Sequence, residues 1–228
     1  MSPYQQFTVN RNVAEKYVEM YVELRNLKGL GQRGALSNDN KYLLWCVRAA
    51  IVSAIGALDH YVHQVLLDRI PKLFKSNPPQ ISQELLEQVQ KVVAVKTQSD
   101  MAKFFGYLAS QNGIEAVCTS LRDEVFLYQS FQAPEKVVKA FKCLGYPDIL
   151  QTVADSWQGP NTQRADLARR LESYVKRRNQ IAHEGDLHSG VPREITPDYA
   201  RKCISFVWNL VYRMDGSVYG WNQQTQPI

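Results

Sequence analysis

The chain has 228 residues, of which 45% are hydrophobic and 21% are charged, the balance of a globular protein with a buried core. Its net charge of +5 is too small to indicate a nucleic-acid-binding protein by itself, so the distribution of charge matters more than its total. Residues 1–12 are polar and no stretch approaches about 18 uninterrupted apolar residues, so we expect neither a secretory signal nor a membrane span.

The cysteines are far apart in the sequence and form no CxxC pair, which excludes the usual patterns of a disulfide framework or a zinc site. They are Cys46, Cys118, Cys143 and Cys203. We interpret them as buried thiols in a reducing compartment. Together with the absence of a leader, this predicts a cytoplasmic protein.

Two long helices are predicted in the first third of the chain. Between residues 13 and 27, apolar residues recur every three or four positions and predict one buried helix face; they are Val13, Tyr17, Met20, Tyr21, Leu24 and Leu27. Glycines follow at 29, 31 and 34. A second apolar pattern starts after Ser37 and continues to Pro71, which predicts a central helix about 45 Å long.

The middle of the chain predicts a series of short helices. They are expected from Ser82 to about 95, after Ser99, from 114 to about 128, and after Pro134 and Pro147, with Gly145 as a stop between the last two.

Two further helices are predicted before the C-terminus. One opens at Asn161 or Thr162 and closes at Gly185, and the other is capped by Thr196. No convincing strand pattern is present. We therefore predict an all-α fold in one domain over residues 1–228, with a core of about 13–212 and polar tails at 1–12 and 216–228.

The segment 177–186 contains the residues that best indicate a function. Its sequence is RRNQIAHEGD, and the twenty residues ending at His183 carry more basic than acidic side chains. The basic ones are Arg164, Arg169, Arg170, Lys176, Arg177 and Arg178, against Asp166 and Glu172. This distribution predicts a cationic stripe beside the segment.

On a helix, Asn179 and His183 share a face, and Arg178 lies about 100° away with a side chain long enough to fold back over that face. RNA can be cut by its own 2′-OH if one group removes the proton, another stabilises the phosphorane and another protonates the leaving oxygen. Histidine suits the proton transfers, and arginine suits the phosphorane. Asn179 can orient the imidazole or donate to the phosphate.

A single helix offers only one imidazole, whereas acid and base catalysis on opposite sides of the phosphorus need two groups. A two-fold dimer that pairs the motif helices would supply both. We therefore predict a composite site to which each chain contributes Arg178 and His183.

The arginine, the polar residue after it, the apolar Ile181-Ala182 and the closing glycine-acid pair resemble the R-x4-H signature of HEPN domains. The likeness extends to Asp59 within the segment ALDHY, to the segment YQSFQAP at 128–134 and to the stop at Leu144-Gly145. Over about residues 40–212 the chain resembles the RiboL-PSP type of HEPN protein.

The resemblance implies a helical bundle with a long central helix that dimerises through the motif helices. It also implies a metal-independent endoribonuclease without a cofactor, acting as a toxin or in defence against phage. Arg178 and His183 would be the catalytic pair, Asn179 their polar companion and Asp59 an auxiliary acid. Expected partners are RNA, a second copy and a separate antitoxin or regulatory protein.

The basic stripe adds three candidate RNA-binding residues, Arg170, Lys176 and Arg177. Some HEPN toxins carry, two positions after the histidine, a tyrosine that a nucleotidyltransferase modifies. Here that position is Gly185, which argues against this route of silencing.

Three other interpretations remain open. The chain could be a catalytically silent HEPN module that binds RNA, a nucleotide or a nucleotidyltransferase, or a purely structural helical dimer. The basic stripe could be an exposed helix face with ion pairs such as Arg169 with Glu172.

Asp59, His60 and His63 invite a metal interpretation, but no Glu-x-x-His partner appears on another helix, so we predict no metal site.

Overall fold

A computed structural model describes residues 1–31 and 34–221. The protein is 73% helical with almost no strand, which confirms the all-α prediction. The described residues form two compact units. The first comprises residues 1–61 and those from 152 onward, and the second comprises residues 62–151.

The elements follow one another in this order: α1 (Pro3–Leu27), a 3-10 turn (Asn38–Leu43), α2 (Leu44–Lys75), α3 (Gln83–Val93), α4 (Gln98–Ala109), α5 (Gly113–Ser120), a π-helical turn (Leu121–Phe126), α6 (Pro134–Lys142), α7 (Ile149–Ser156), α8 (Arg164–His183), β1 (Leu187–His188), β2 (Val191–Pro192) and α9 (Pro197–Tyr219). The two strands form an antiparallel hairpin. With two residues each, they are too short to show the alternation by which a strand is recognised in a sequence.

Helix α1 begins ten residues earlier than the apolar pattern predicts. The Ser2 hydroxyl accepts a hydrogen bond from the backbone N–H of Gln5, whose side chain accepts one from the N–H of Ser2, and Pro3 occupies the first helical position. Phe7 is fully buried. The segment predicted as an N-terminal polar tail is therefore helix from Pro3 onward and contributes to the core of the first unit.

The buried face of α1 differs from the predicted one. Ala14, Val18 and Tyr21 are buried, whereas Val13 and Met20 are exposed. Of the predicted face only Tyr21 is buried, because α1 carries two apolar stripes that are offset by one residue, or about 100° around the helix. Helix α1 packs its buried stripe against α9.

Helix α2 continues past Pro71 to Lys75, so the proline does not end it as predicted. A proline removes one backbone donor and only one further turn follows, so the loss is confined to the end of the helix. The span Asn38–Lys75 contains an 18-residue window with a mean hydropathy of 1.5, half of it buried within the protein. By length and composition alone this span could cross a bilayer, a test that the core helix of a soluble protein also passes.

The second unit contains most of the short helices. Ser82 caps α3 as predicted, through a hydrogen bond of 3.1 Å from the N–H of Leu85 to its hydroxyl. Thr97, and not Ser99, caps α4. Pro134 is the first residue of α6, as predicted. The helix expected to run from 114 to about 128 is divided into α5 and the π-helical turn.

Helices α8 and α9 return the chain to the first unit. Thr162 does not cap α8, because the N-cap position is occupied by Gln163, whose side chain makes no cap hydrogen bond. The single hydroxyl proton of Thr162 is shared between the carbonyls of Trp157, at 2.7 Å, and Gly159, at 2.8 Å. Thr196 caps α9 as predicted, accepting from the N–H of Tyr199 at 3.2 Å. Helix α9 continues to Tyr219, so the predicted polar tail from 216 starts with helix. Residues 222–228 of that tail lie outside the described residues.

Candidate functional site at the end of helix α8

Helix α8 ends at His183 because the next residues turn the chain away. Gly185 and Asp186 adopt left-handed backbone angles, with φ of +61° and +57°. The carbonyl of Gln180 accepts hydrogen bonds from the N–H groups of Glu184, at 3.1 Å, and Asp186, at 2.9 Å. These bonds satisfy a carbonyl that a helix end would otherwise leave unpaired. His183 thus stands, exposed, in the last turn.

Arg178 and Asn179 are joined by a hydrogen bond. The Nη1 of Arg178 donates to the Oδ1 of Asn179 at 3.0 Å. Asn179 shares a helix face with His183, so this bond carries the guanidinium toward the histidine's face. Because the amide oxygen is engaged by Arg178, the amide nitrogen is the end of Asn179 that can donate to a phosphate or to the imidazole.

The Nε of Arg178 is buried, and it has no hydrogen-bond partner among the described residues. Buried N–H groups are nearly always paired in proteins, and exceptions mark sites that call for another partner. Arg178 thus combines one donor bound to Asn179 with a second donor that no described acceptor satisfies.

Two open grooves in the first unit do not include the motif. A groove of about 580 Å³ runs between α1 and α9 and is lined by Val18 and Trp208, among others. A second, of about 810 Å³, lies beside Lys41 and the start of α9. Asn179 and His183 lie exposed at the surface of the chain, and Arg178 is half-buried.

A buried ion-pair cluster of Arg48, Arg177 and Asp186 lies directly behind the motif. Asp186 is fully buried and Arg48 is 3% exposed. The Nε of Arg48 lies 2.5 Å from Oδ2 of Asp186, and the Nη1 of Arg177 lies 2.7 Å from Oδ1. Burial lowers the pKa of Arg177, while the charge of Asp186 acts to raise it. The carboxylate thus compensates two cations that are partly or wholly removed from water.

The ion-pair cluster also holds the hairpin that follows the motif. Arg48 donates from Nη2 to the carbonyl of Arg193 at 3.0 Å, and Arg177 donates from Nη2 to the carbonyl of Glu194 at 2.9 Å. The N–H of Arg193 donates to the carbonyl of Asp186 at 2.8 Å. Both ends of the hairpin are thereby fixed to α8 and to the start of α2.

The predicted RNA-binding residues have different surroundings. Arg177 is engaged by Asp186 within the ion-pair cluster. Arg170 is half-buried, with its guanidinium 4.6 Å from the ring centroid of Phe206. Lys176 is exposed. Arg169 pairs with Asp166 rather than with the Glu172 suggested by the alternative interpretation.

Asp59, the predicted auxiliary acid, lies half-buried on α2 in the same unit as α8. Its auxiliary role stays a prediction. Within the described residues, no group of three or more histidine, cysteine, aspartate or glutamate side chains has the arrangement of a metal site.

Sequence reasoning missed Arg48 because 138 residues separate it from Asp186. A weak signal existed, since Arg48 is a single charge inside the apolar pattern that starts α2. An isolated charge in a buried helix face needs a compensating partner. Only the fold shows that the partner is the acid after Gly185.

Comparison with known proteins identifies the family. A model of the RiboL-PSP-HEPN family matches residues 18–219. No curated protein and no solved structure matches the chain. The family match begins within α1 and includes the whole of α8 with its R-x4-H motif. Because it covers most of the sequence, the chain belongs to the RiboL-PSP-HEPN family.

Proposed function

We propose that the protein is a metal-independent endoribonuclease of the HEPN type that acts in the cytoplasm as a toxin or a phage-defence effector. HEPN domains are often ribonucleases or RNA-binding modules. The observation that carries the proposal is the hydrogen bond from Arg178 to Asn179, which brings a permanent cation toward the helix face of an exposed histidine.

The proposed reaction needs no group from outside the protein and its substrate. An imidazole removes the proton of the ribose 2′-OH, whose oxygen attacks the adjacent phosphorus. The bond from phosphorus to the 5′-oxygen breaks, and a second imidazole in its protonated form donates a proton to that oxygen. The products are a 2′,3′-cyclic phosphate and a 5′-hydroxyl.

Arg178 has the properties needed to stabilise the phosphorane. Its guanidinium stays charged and offers several N–H groups to phosphate oxygens. The bond to Asn179 restrains it before the substrate binds, which lowers the cost of ordering it in the transition state. Asn179 would add a neutral donor beside it.

The proposed site is composed of two chains, because acid and base catalysis need two groups and one α8 supplies one imidazole. The motif lies at an exposed helix end on the single chain, and a two-fold axis beside it would bring two copies of Arg178 and His183 to one phosphate. For RNA contacts beyond the scissile phosphate, the exposed Lys176 and the half-buried Arg170 are better placed than Arg177, whose charge Asp186 already compensates.

The test is to incubate the purified protein with total cellular RNA in EDTA and to map the new ends. Wild type should cut, and His183→Ala and Arg178→Ala should each cut at least about 100-fold more slowly. His188→Ala is the matched control, because His188 is an exposed histidine on the adjacent hairpin. It should cut like wild type.

Two results would contradict the proposed nuclease. One is cleavage that requires added Mg²⁺, and the other is a His183→Ala variant as active as His188→Ala. Intact RNA with every variant, together with salt-sensitive RNA binding by the wild type, would instead identify a catalytically silent RNA-binding module.

A further inference from the structure

Helix α1 carries an apolar stripe that the described part of the chain leaves exposed to water. We call it the outer stripe, and it comprises Val13, Tyr17, Met20, Leu24 and Leu27. Val13 is 47% exposed, Met20 44% and Leu27 83%, and the other two residues are half-buried. Single exposed apolar residues are common on proteins, but a continuous stripe on one helix marks an interaction surface.

The spacing of the outer stripe is that of a coiled-coil seam. Its residues follow one another at intervals of four, three, four and three, the heptad pattern that lets two helices interlock side chains along their length. A different face of α1 anchors the helix to its own chain, namely the buried stripe with Ala14, Val18 and Tyr21. The outer stripe is therefore available to a second helix.

We propose that the outer stripe binds the outer stripe of a second copy of this chain, with the two α1 helices antiparallel. Lys16 and Glu23 occupy the same heptad position beside the seam and carry opposite charges. In an antiparallel pair such positions face each other across the seam. A second copy thus offers both the matching apolar surface and the complementary charge.

The charges also select the register. In the favoured register, Tyr17 lies opposite Met20 of the second copy and Val13 lies opposite its Leu24. Lys16 then lies opposite Glu23 of the second copy. The two-fold axis generates a second, identical ion pair. A register shifted by one heptad places two copies of Glu23 against each other, which is repulsive. In a parallel pair, Lys16 would face Tyr21, which is buried in its own chain. Glu23 would face Lys28, which lies beyond the last residue of α1 and holds its ammonium 5.6 Å from the ring centroid of Tyr42 in its own chain. The antiparallel pair therefore places both charges of the seam against complementary charges within the helix.

Little has to be broken to form this pair. In the single chain, Lys16 pairs with Glu19 in a contact whose side chains are 75% and 53% exposed. Exposed ion pairs of this kind contribute little and exchange easily. The seam from residue 13 to 27 is only about 21 Å long, so the association should be weak and should depend on concentration.

This interface uses none of the motif residues, so it is independent of the proposed nuclease. If the chain also forms a two-fold dimer through its α8 helices, a second two-fold interface would link dimers into assemblies of four or more chains.

Sedimentation velocity over a range of protein concentrations tests the proposal. Met20→Glu places like charges near the two-fold axis and should weaken association at least about tenfold. Asn12→Glu is the matched control, since it adds the same charge to an exposed position of α1 outside the stripe, and it should associate like wild type. Circular dichroism will verify that both variants are helical.

A charge exchange then tests the orientation. Lys16→Glu and Glu23→Lys should each weaken association, and the double variant should restore it, because the facing charges are again opposite. A Met20→Glu variant that associates like wild type, or a double variant as weak as the single ones, would overturn the proposal. Met20→Glu should cut RNA in EDTA like wild type, because Met20 is not part of the motif, and this keeps the outcome separate from that of the nuclease test.

Discussion

Asp186 compensates two buried or partly buried guanidinium groups, those of Arg48 and Arg177. Asp186→Asn keeps the shape of the side chain and removes its charge, so both cations would be left without compensation. Breaking a buried pair in this way costs about 3–5 kcal/mol. We therefore expect the free energy of unfolding in urea to fall by about that amount.

Asp198→Asn is the control for this loss of stability. Asp198 pairs with Arg201 on α9, and both side chains are largely exposed, so the change should cost less than about 1 kcal/mol. Equal urea midpoints for the two variants would show that the ion-pair cluster contributes no more than a surface pair.

Asp215 makes the stability of the first unit depend on pH. Burial raises its pKa to about 6, although the Tyr61 hydroxyl, which donates to its Oδ1 at 3.2 Å, acts to lower it. The pKa in the unfolded chain is near the ordinary value of 3.8. Between about pH 4 and 6 the folded state therefore holds a proton that the unfolded state has lost. Stability should fall as the pH rises through this window, and the full loss is reached above pH 6.

Asp215→Asn removes this titration and keeps an acceptor for the Tyr61 hydroxyl. The variant should gain stability relative to wild type as the pH rises from 4 to 6.5, measured by urea unfolding at several pH values. If the two proteins show parallel pH profiles, Asp215 titrates at the same pH in both the folded and the unfolded state.

Whether the sequence can group the residues of the candidate site and of the ion-pair cluster depends on how far apart those residues lie along the chain. Arg178, Asn179 and His183 stand within two turns of one helix, so spacing and chemistry suffice to propose them as a group. Arg48 and Asp186 come together only through the fold. Arg177 illustrates the limit, because its charge predicts RNA binding, which stays a prediction, whereas only the fold shows that Asp186 engages it within the protein.

At the scale of the elements, Gly185 determines where α8 ends. Its φ of +61° is accessible to glycine at little cost, and a side chain added there would meet no atom within 4 Å. Gly185→Ala should therefore cost about 1–2 kcal/mol through backbone strain alone, and Gly185→Asn should cost less, because asparagine tolerates this conformation.

In α2, by contrast, replacing a glycine with alanine should stabilise the protein, and Gly56→Ala tests this. Gly56 lies inside the helix, and an added Cβ there also meets nothing within 4 Å. Since alanine is the better helix former, this variant should gain up to about 1 kcal/mol. Thermal or urea unfolding of both alanine variants would check the pair, and a destabilised Gly56→Ala would contradict this account.

Helix α1 shows what periodicity can and cannot determine. The three- and four-residue repeat correctly predicts a helix over residues 13–27, but two overlapping stripes satisfy the same repeat. Which stripe is buried depends on the packing against α9, and that contact is not local in the sequence. The capping box of Ser2 and Gln5 was readable, yet the polar residues around Phe7 concealed the start of the helix.

At the scale of the whole molecule, the family match spans residues of both compact units and supports the helical HEPN architecture. It does not determine how many chains form one active site. The chemistry makes a prediction on that question, because proton transfer on both sides of one phosphorus needs two groups and each motif supplies one imidazole. The number of chains at the site can be measured without knowing the natural RNA.

Mixing wild-type and His183→Ala chains should separate a composite site from an independent one. Subunits are exchanged by mild denaturation and refolding, and RNA cleavage in EDTA is measured at a fixed amount of wild type. With equal amounts of the two chains, about one quarter of the dimers would contain two wild-type chains. Because only half of the wild-type chains then have a wild-type partner, cleavage should fall to about half of its unmixed value. In the control, His188→Ala replaces His183→Ala in the mixture, and the cleavage rate per chain should stay unchanged. Cleavage that stays constant as His183→Ala is added would show that each chain carries a complete site.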